Sequence, residues 1–358
     1  MKKIRGVKCW ATSILSIAAF LLLFKIFLEK PPIKIIINTG SSAETVFKRN
    51  TTLFPKESIV NLTKSKMIPK CDENLCKFLN YYPSITVNRK PACNGTLEDL
   101  LTVIVKTKGR LSYVGKLLSS LFLYYPNVKV IVMDEENTKS SNIGEWRRFE
   151  NFENILHVKI GSGVGRGRQH GLKLVKTPFF FTIDDDITLI KFSHIEKLIN
   201  VLLYTNISLC GAYIEPKYNY DGLIRSWNNS VYIYPNLYYD SIRNFKNCYT
   251  LDFVKNVFVA KTKDVIEAGG WDTERDLYEH EDFFINFKKS GKIVAQCLDV
   301  IVKHQDVDRT LAVDRQRKFK YWNEKLKTKW KINGIYFCRP EAYWLSYFCP
   351  EDMKKGLL

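Results

Sequence analysis

The chain has 358 residues, a hydrophobic fraction of 46% and a formal net charge of +18. Such a length suits one large or two modest domains, and the composition is that of an ordinary globular protein, which excludes a disordered chain. A basic balance first suggests nucleic acid, but the lysines are scattered, and the lumenal topology argued next leaves no nucleic acid to bind.

Cys9 to Leu28 is an apolar run preceded by Lys2, Lys3, Arg5 and Lys8. About 20 such residues cross a bilayer as a helix. Lys25 lies near enough to the end of the run to snorkel to the interface. The basic cluster keeps the N-terminal side cytoplasmic. No small-x-small cleavage site follows, so an uncleaved signal anchor at 9–28 is expected, after a cytoplasmic tail at 1–8. The rest of the chain would then be lumenal. Asn50, Asn61, Asn94, Asn206 and Asn228 each open an N-x-Ser/Thr sequon. Beyond Cys9 there remain Cys71, Cys76, Cys93, Cys210, Cys248, Cys297, Cys338 and Cys349, an even set that suits disulfides in an oxidising compartment. No pair of C-x-x-C elements marks a zinc site. Cys338 with Cys349 would close a short C-terminal loop.

Residues 29–98 carry Pro31-Pro32, scattered Lys and Ser and little periodicity, and read as a stem. A regular domain is expected over 99–332, followed by a cysteine-containing extension at 333–358. Leu101 to Val105 is a strand, followed by the polar turn Lys106-Thr-Lys-Gly-Arg110. Leu111 to Tyr125 has helical spacing and stops before Pro126. Val128 to Met133 is a second strand running into Asp134, and Ile155 to Ile160 a third. The run Gly161-Ser-Gly-Val-Gly-Arg-Gly-Arg168 fits either a phosphate-wrapping helix start or a flexible loop, with a helix from Gln169 to Lys176. Phe179 to Ile183 is an apolar strand that stops at Asp184, Asp185 and Asp186. Three adjacent carboxylates repel one another and suit a hard divalent cation at the carboxyl end of a buried strand. The order of β-α units indicates an α/β protein with a Rossmann-like, largely parallel sheet.

Downstream, Ile195 to Leu203 reads as helix and Ser208 to Ile214 as strand. Residues 213–250 are rich in Tyr, Asn and Trp, which either meet sugars or build irregular β-structure. Lys261 to Ala268 is a short helix closed by Gly269-Gly270. Glu279, His280, Glu281 and Asp282 open an amphipathic helix. There they either complement the helix dipole or supply a general base. Ile293 to Val302 is a strand ending at Lys303-His304. Two enzyme classes place carboxylates after such a strand. Asp184, Asp186 and Thr188 fit the D-x-D-x-T of haloacid-dehalogenase-type phosphatases, and the same residues fit the D-x-D of nucleotide-sugar glycosyltransferases. The phosphatase nucleophile normally opens the sheet, whereas here three β-α units come first.

Val103-Ile-Val-Lys-Thr-Lys108, Tyr125-Pro126, Val130-Ile-Val-Met-Asp134, Gly167-Arg168, Phe181-Thr-Ile-Asp-Asp-Asp186, Gly270-Trp-Asp272 and Glu279-His-Glu-Asp-Phe-Phe284 together resemble the GT-A-fold glycosyltransferases. They are most similar to the β-1,4-N-acetylgalactosaminyltransferases of the ganglioside-synthase type, over about Leu100 to Lys320. The resemblance implies a GT-A fold and inverting transfer of GalNAc from UDP-GalNAc to a glycan acceptor on glycolipid or glycoprotein. It also implies a Golgi enzyme of type II topology, held in the membrane by its N-terminal helix; homodimer formation is left open. Asp186 and His304 would hold Mn2+, with Mg2+ as the alternative. Thr107, Lys108, Arg110, Asp134, Arg168, Asp184 and Asp185 would meet the UDP-sugar. Asp282 would be the base, with Glu281 second. Glu135-Glu136 departs from the family's Asp-Ser after Asp134. A non-catalytic glycan-binding protein on the same fold is the remaining alternative.

Overall fold

The computed structural model describes residues 84–88, 90–91, 95–135, 144–216, 221–305 and 311–338. The expected anchor at 9–28, most of the stem and the Asn50, Asn61 and Asn94 sequons lie outside them. Among the described residues no helix is long and apolar enough to cross a membrane. In chain order the elements are α1 (Leu97–Leu100), β1 (Leu101–Lys108), α2 (Leu111–Tyr124), β2 (Lys129–Glu135), β3 (Ile155–Ile160), α3 (Val164–Leu174), β4 (Phe179–Asp184), β5 (Ile187–Leu189), α4 (Ile195–Tyr204), β6 (Leu209–Glu215), β7 (Gly222–Trp227), β8 (Ser230–Pro235), β9 (Cys248–Leu251), β10 (Phe258–Lys261), α5 (Thr262–Glu267), α6 (Glu279–Lys289), β11 (Val294–His304), α7 (Leu311–Trp330) and β12 (Ile335–Phe337).

The main sheet runs β3-β2-β1-β4-β10-β6-β11-β5, with β9 added on β11. β3, β2, β1 and β4 are mutually parallel. β10 is antiparallel to both β4 and β6, and β6 pairs parallel with β11, so the sheet is parallel in its first half and mixed beyond. Successive residues of the central strands feed opposite cores. Val103, Val105, Phe179, Phe181 and Ile183 pack on the side of α2 and α4. Ile104 and Phe180 pack with α6 and the smaller sheet. Both faces are therefore covered, which is why these strands read as continuous apolar runs. Each such side chain contributes about 1.5–3 kcal/mol on burial. A smaller sheet, β12-β8-β7, is built from a β7–β8 hairpin and β12, which begins in the stretch expected as a C-terminal extension.

The strand order 3-2-1-4 makes β1 the point where the sheet reverses direction. β2 and β3 are laid down on one side of it and β4 on the other. The carboxyl ends of β1 and β4 therefore open side by side, with Lys106 opposite Asp184. After β4 the chain turns through Asp185 and Asp186 into β5. That strand pairs antiparallel with the end of β11, setting Ile187 opposite His304.

The glycine run holds a helix start, earlier than the expected Gln169. α3 begins at Val164, so Gly165 and Gly167 lie inside a helix, with Gly163 at φ 133° just before it. A Cβ on Gly165 would sit 2.1 Å from the Asp272 carbonyl oxygen, and one on Gly167 2.9 Å from Ile160 Cδ1. Gly165 allows backbone to pack on backbone, and Gly167 admits the Ile160 and Lys106 side chains.

Among the described residues the expected disulfides are present in part. Cys248 and Cys297 form a disulfide joining β9 to β11, and Cys338 is disulfide-bonded, while Cys210 is a buried free thiol 3.7 Å from Cys297 Sγ. The even set of eight therefore does not pair completely. Burial explains the free thiol: Cys210 behaves as a small apolar residue within the core.

Candidate functional site

The Asp triplet occupies the mouth between β1 and β4, and cations from two directions meet it. Thr107, at the end of β1, donates its hydroxyl to Asp185 Oδ2 at 2.6 Å. Arg110, just past the turn, donates Nε to the same oxygen at 3.0 Å and Nη2 to Asp185 Oδ1. Its Nη1 reaches Asp186 Oδ2 at 3.3 Å. Burial pushes the Asp185 carboxyl up to about 6, with Arg110 opposing the shift and Asp186 adding to it. Burial and the neighbouring Asp184 charge also raise Asp186. Crowding of like charge is thus present in the fold, as the triplet implied.

Arg168 is the second cation. Carried on α3, it is buried and donates to Asp184 Oδ1 at 2.8 Å and to Glu279 Oε1 at 2.7 Å. Burial works against its charge, but the Asp184 and Glu279 carboxylates more than offset that and hold it above its ordinary range. Arg168 therefore ties the triplet to the first residue of α6. Glu279 was not assigned a site role by sequence reasoning. Its signal was its place three residues before Asp282, a spacing that puts both on neighbouring positions of one helix face.

His304 Nε2 lies 3.8 Å from Asp186 Oδ2, brought there by the β5–β11 pairing and by a hydrogen bond of 2.7 Å from Gln305 N to the Asp186 carbonyl. A carboxylate oxygen and an imidazole nitrogen this close can share one divalent cation. Among the described residues no group of three or more His, Cys, Asp or Glu side chains is placed to hold a metal. The protein offers a pair, and further ligands would come from substrate, as magnesium-type sites with phosphates use.

The remaining expected residues are placed less uniformly. Asp134 lies beside Thr107 across the β1–β2 pairing. One of its oxygens meets His157 Nε2 at 3.2 Å, and the other is buried without a hydrogen-bond partner among the described residues. Lys108 turns away from the triplet to Glu135, at 3.2 Å, and Lys106 meets the same carboxylate at 2.6 Å. Burial opposes the Glu135 charge, yet the two ammoniums hold its carboxyl below the usual range. Thr188, the third member of the phosphatase pattern, gives its hydroxyl to the Lys303 carbonyl at 3.3 Å.

Glu281 and Asp282 are both buried at the start of α6. Asp282 does not contact the triplet directly. Its Oδ1 accepts from Trp330 Nε1 at 2.8 Å and its Oδ2 from Lys329 Nζ at 2.8 Å, both from the last turn of α7. Arg275 Nε is 3.6 Å from the same Oδ2. Sequence reasoning missed Lys329 and Trp330, because a Lys-Trp pair at the end of a basic helix carries no distinguishing signal.

Residues 102–265 match the family described as Glycosyl transferase family 2. The chain is 26% identical over 220 residues to beta-1,4 N-acetylgalactosaminyltransferase 1 of Rattus norvegicus, covering 58% of this chain and 39% of the relative. It is 25% identical to the Homo sapiens protein of the same name over the same shares. It is likewise 25% identical to beta-1,4 N-acetylgalactosaminyltransferase 2 of Mus musculus, over 60% of this chain and 41% of that protein. The chain thus spans about two fifths of the length of the curated relatives it matches. The crystal structure of S. aureus TarS 1-349 aligns with a TM-score of 0.41 and 14% identity, over 57% of this chain and 60% of that one, too loosely to bear on the fold. Residues 102–265 thus resemble glycosyl transferase family 2, and the resemblance to the β-1,4-N-acetylgalactosaminyltransferases, read first from the motifs, is borne out.

Proposed function

We propose that the chain is an inverting, metal-dependent glycosyltransferase that moves GalNAc from UDP-GalNAc in β-linkage to a glycan acceptor. The observation that carries the reading is the convergence at the β1–β4 mouth of Asp184, Asp185 and Asp186 with Arg110, Arg168 and His304. The names of the relatives supply the sugar. The lumenal, membrane-anchored setting is part of the same proposal and rests on the apolar run at 9–28 and its basic flank.

Each residue has work suited to its chemistry. The Asp134 oxygen that has no partner among the described residues is a buried acceptor suited to a donor such as the imide N–H of uracil. Thr107 and Arg110 fix Asp185 so that it faces a ribose rather than solvent. Asp186 and His304 fit manganese by donor type and spacing. When bound there, such an ion offsets negative charge on a departing diphosphate. Arg110 and Arg168 add fixed positive charge beside it. Asp282 takes the proton of the acceptor hydroxyl as that oxygen attacks the anomeric carbon, and one displacement inverts the centre. Holding donor and acceptor in line supplies much of the remaining acceleration.

The test is a donor screen with manganese and with EDTA, on wild type and on Asp186→Ala. The expected outcome is UDP-GalNAc-dependent transfer that EDTA and Asp186→Ala both abolish, with the circular-dichroism spectrum unchanged. Full activity of Asp186→Ala in EDTA would defeat the metal assignment. In the phosphatase reading, phosphate release would instead depend on Asp184.

A further inference from the structure

α7 and Asp282 both lie outside the family-matched residues 102–265, and the last turn of α7 reaches the Asp282 carboxylate. Phe319 packs edge-on against Tyr278 at 5.8 Å, immediately before α6 begins. Ten and eleven residues further along the same helix, Lys329 and Trp330 donate to the two oxygens of Asp282, each at 2.8 Å. Lys329 also reaches Asp272 Oδ2 at 3.0 Å, and Arg275 joins the same carboxylate at 3.1 Å. Asp282 is 2% exposed, so the carboxylate is shielded from water and these two donors are its partners in that shelter.

Resting on the transferase reading above, we propose that Lys329 and Trp330 are positioning residues for the acceptor base. An ionised carboxylate has about four lone-pair sites, of which the indole N–H and the ammonium take one on each oxygen. Two donors on two different oxygens fix the plane of the group, and the free lone pairs keep a defined direction for an acceptor hydroxyl. A base freed to rotate would lose the alignment on which proton transfer depends. The Lys329 side chain is 39% exposed, so its amine can be removed without opening the core.

The experiment uses the full chain, with UDP-GalNAc as donor, a panel of β-galactoside acceptors and calorimetric binding of UDP in manganese. Lys329→Met and Trp330→Phe are expected to lower kcat at least tenfold, part of the ~10²–10⁴ that a positioned base supplies. KM for UDP-GalNAc and the affinity for UDP should stay the same. Lys329→Arg should restore most of the lost turnover. In an Asp282→Asn background the same substitutions should cost little more, because groups that act through one residue are not additive. Unchanged kcat in the double variant Lys329→Met/Trp330→Phe overturns the proposal. So do losses that multiply fully with Asp282→Asn, or a fall in kcat that merely tracks a lowered melting temperature and is not rescued by Lys329→Arg. A wild-type chain that transfers nothing to any acceptor overturns the transferase reading itself, and the positioning role with it.

Discussion

Lys288 carries its ammonium from α6 into the core beneath β7. It donates to Asp252 Oδ2 at 2.5 Å, to Tyr239 Oη at 2.9 Å and to the Ile224 carbonyl at 3.1 Å. Burial pushes its pKa down to about 7, against the pull of Asp252. All three of its protons are used, and Arg225 Nη1 meets the same carboxylate at 3.2 Å. Lys288→Met removes one partner and leaves Asp252 undercompensated in a dry site. The expected loss is about 3–5 kcal/mol, read from urea denaturation. Lys288→Met/Asp252→Leu should not recover it, since the double variant leaves the buried Arg225 guanidinium without its carboxylate. None of this was legible in the sequence. Lys288-Lys289 reads as the solvated, dipole-complementing end of an amphipathic helix, and only packing against β7 turns the first of the pair inward.

At the scale of the element, α3 shows what pattern reading loses. Glycine has poor helix propensity, so four glycines in seven residues read as loop, and the helix was expected to start at Gln169. Contacts decide otherwise. Gly165 N donates to the Arg275 carbonyl at 3.1 Å, and the Asp272 carbonyl lies where a side chain would begin. Gly165→Ala is therefore expected to destabilise by about 1–3 kcal/mol, the usual cost of overpacking, despite alanine's better propensity. Gly161→Ala is the control, because its added Cβ meets nothing closer than Arg166 Nη1 at 3.5 Å. Thermal unfolding of the two variants checks the expectation, and equal melting temperatures would refute it. The strands were far more legible than α3. Ile155 to Ile160 has the expected bounds although only Ile160 is buried, and Phe179 to Ile183 is a residue short, because an apolar run buried on both faces announces itself.

For the whole molecule, acid stability follows from His280. It is buried between Phe253, at 4.7 Å, and Phe284, at 5.0 Å, with Nδ1 2.6 Å from Asn256 Oδ1. Burial, reinforced by the Arg168 charge, pushes its pKa down to about 3 from 6.5. Below pH 6.5 the unfolded chain takes up a proton that the folded chain refuses. The stability present above that pH is therefore lost progressively as pH falls towards 3. Wild type should lose unfolding free energy between pH 6.5 and 4 more steeply than His280→Gln, and parallel curves would dismiss the assignment. The parallel first half of the sheet and the place of the Asp triplet at its mouth were legible, because strand order and an acidic strand end both leave marks in sequence. The clamp on Asp282 was not, since it depends on where a distant helix docks.

The site's two halves are far apart along the chain. The Asp triplet is complete by residue 186, whereas Lys329 and Trp330 are added 143 and 144 residues later. On the transferase reading, the donor half is itself finished only at His304, and the groups that hold Asp282 follow 25 and 26 residues later. A chain halted between His304 and Lys329 is therefore expected to bind UDP-sugar without a fixed base to use it.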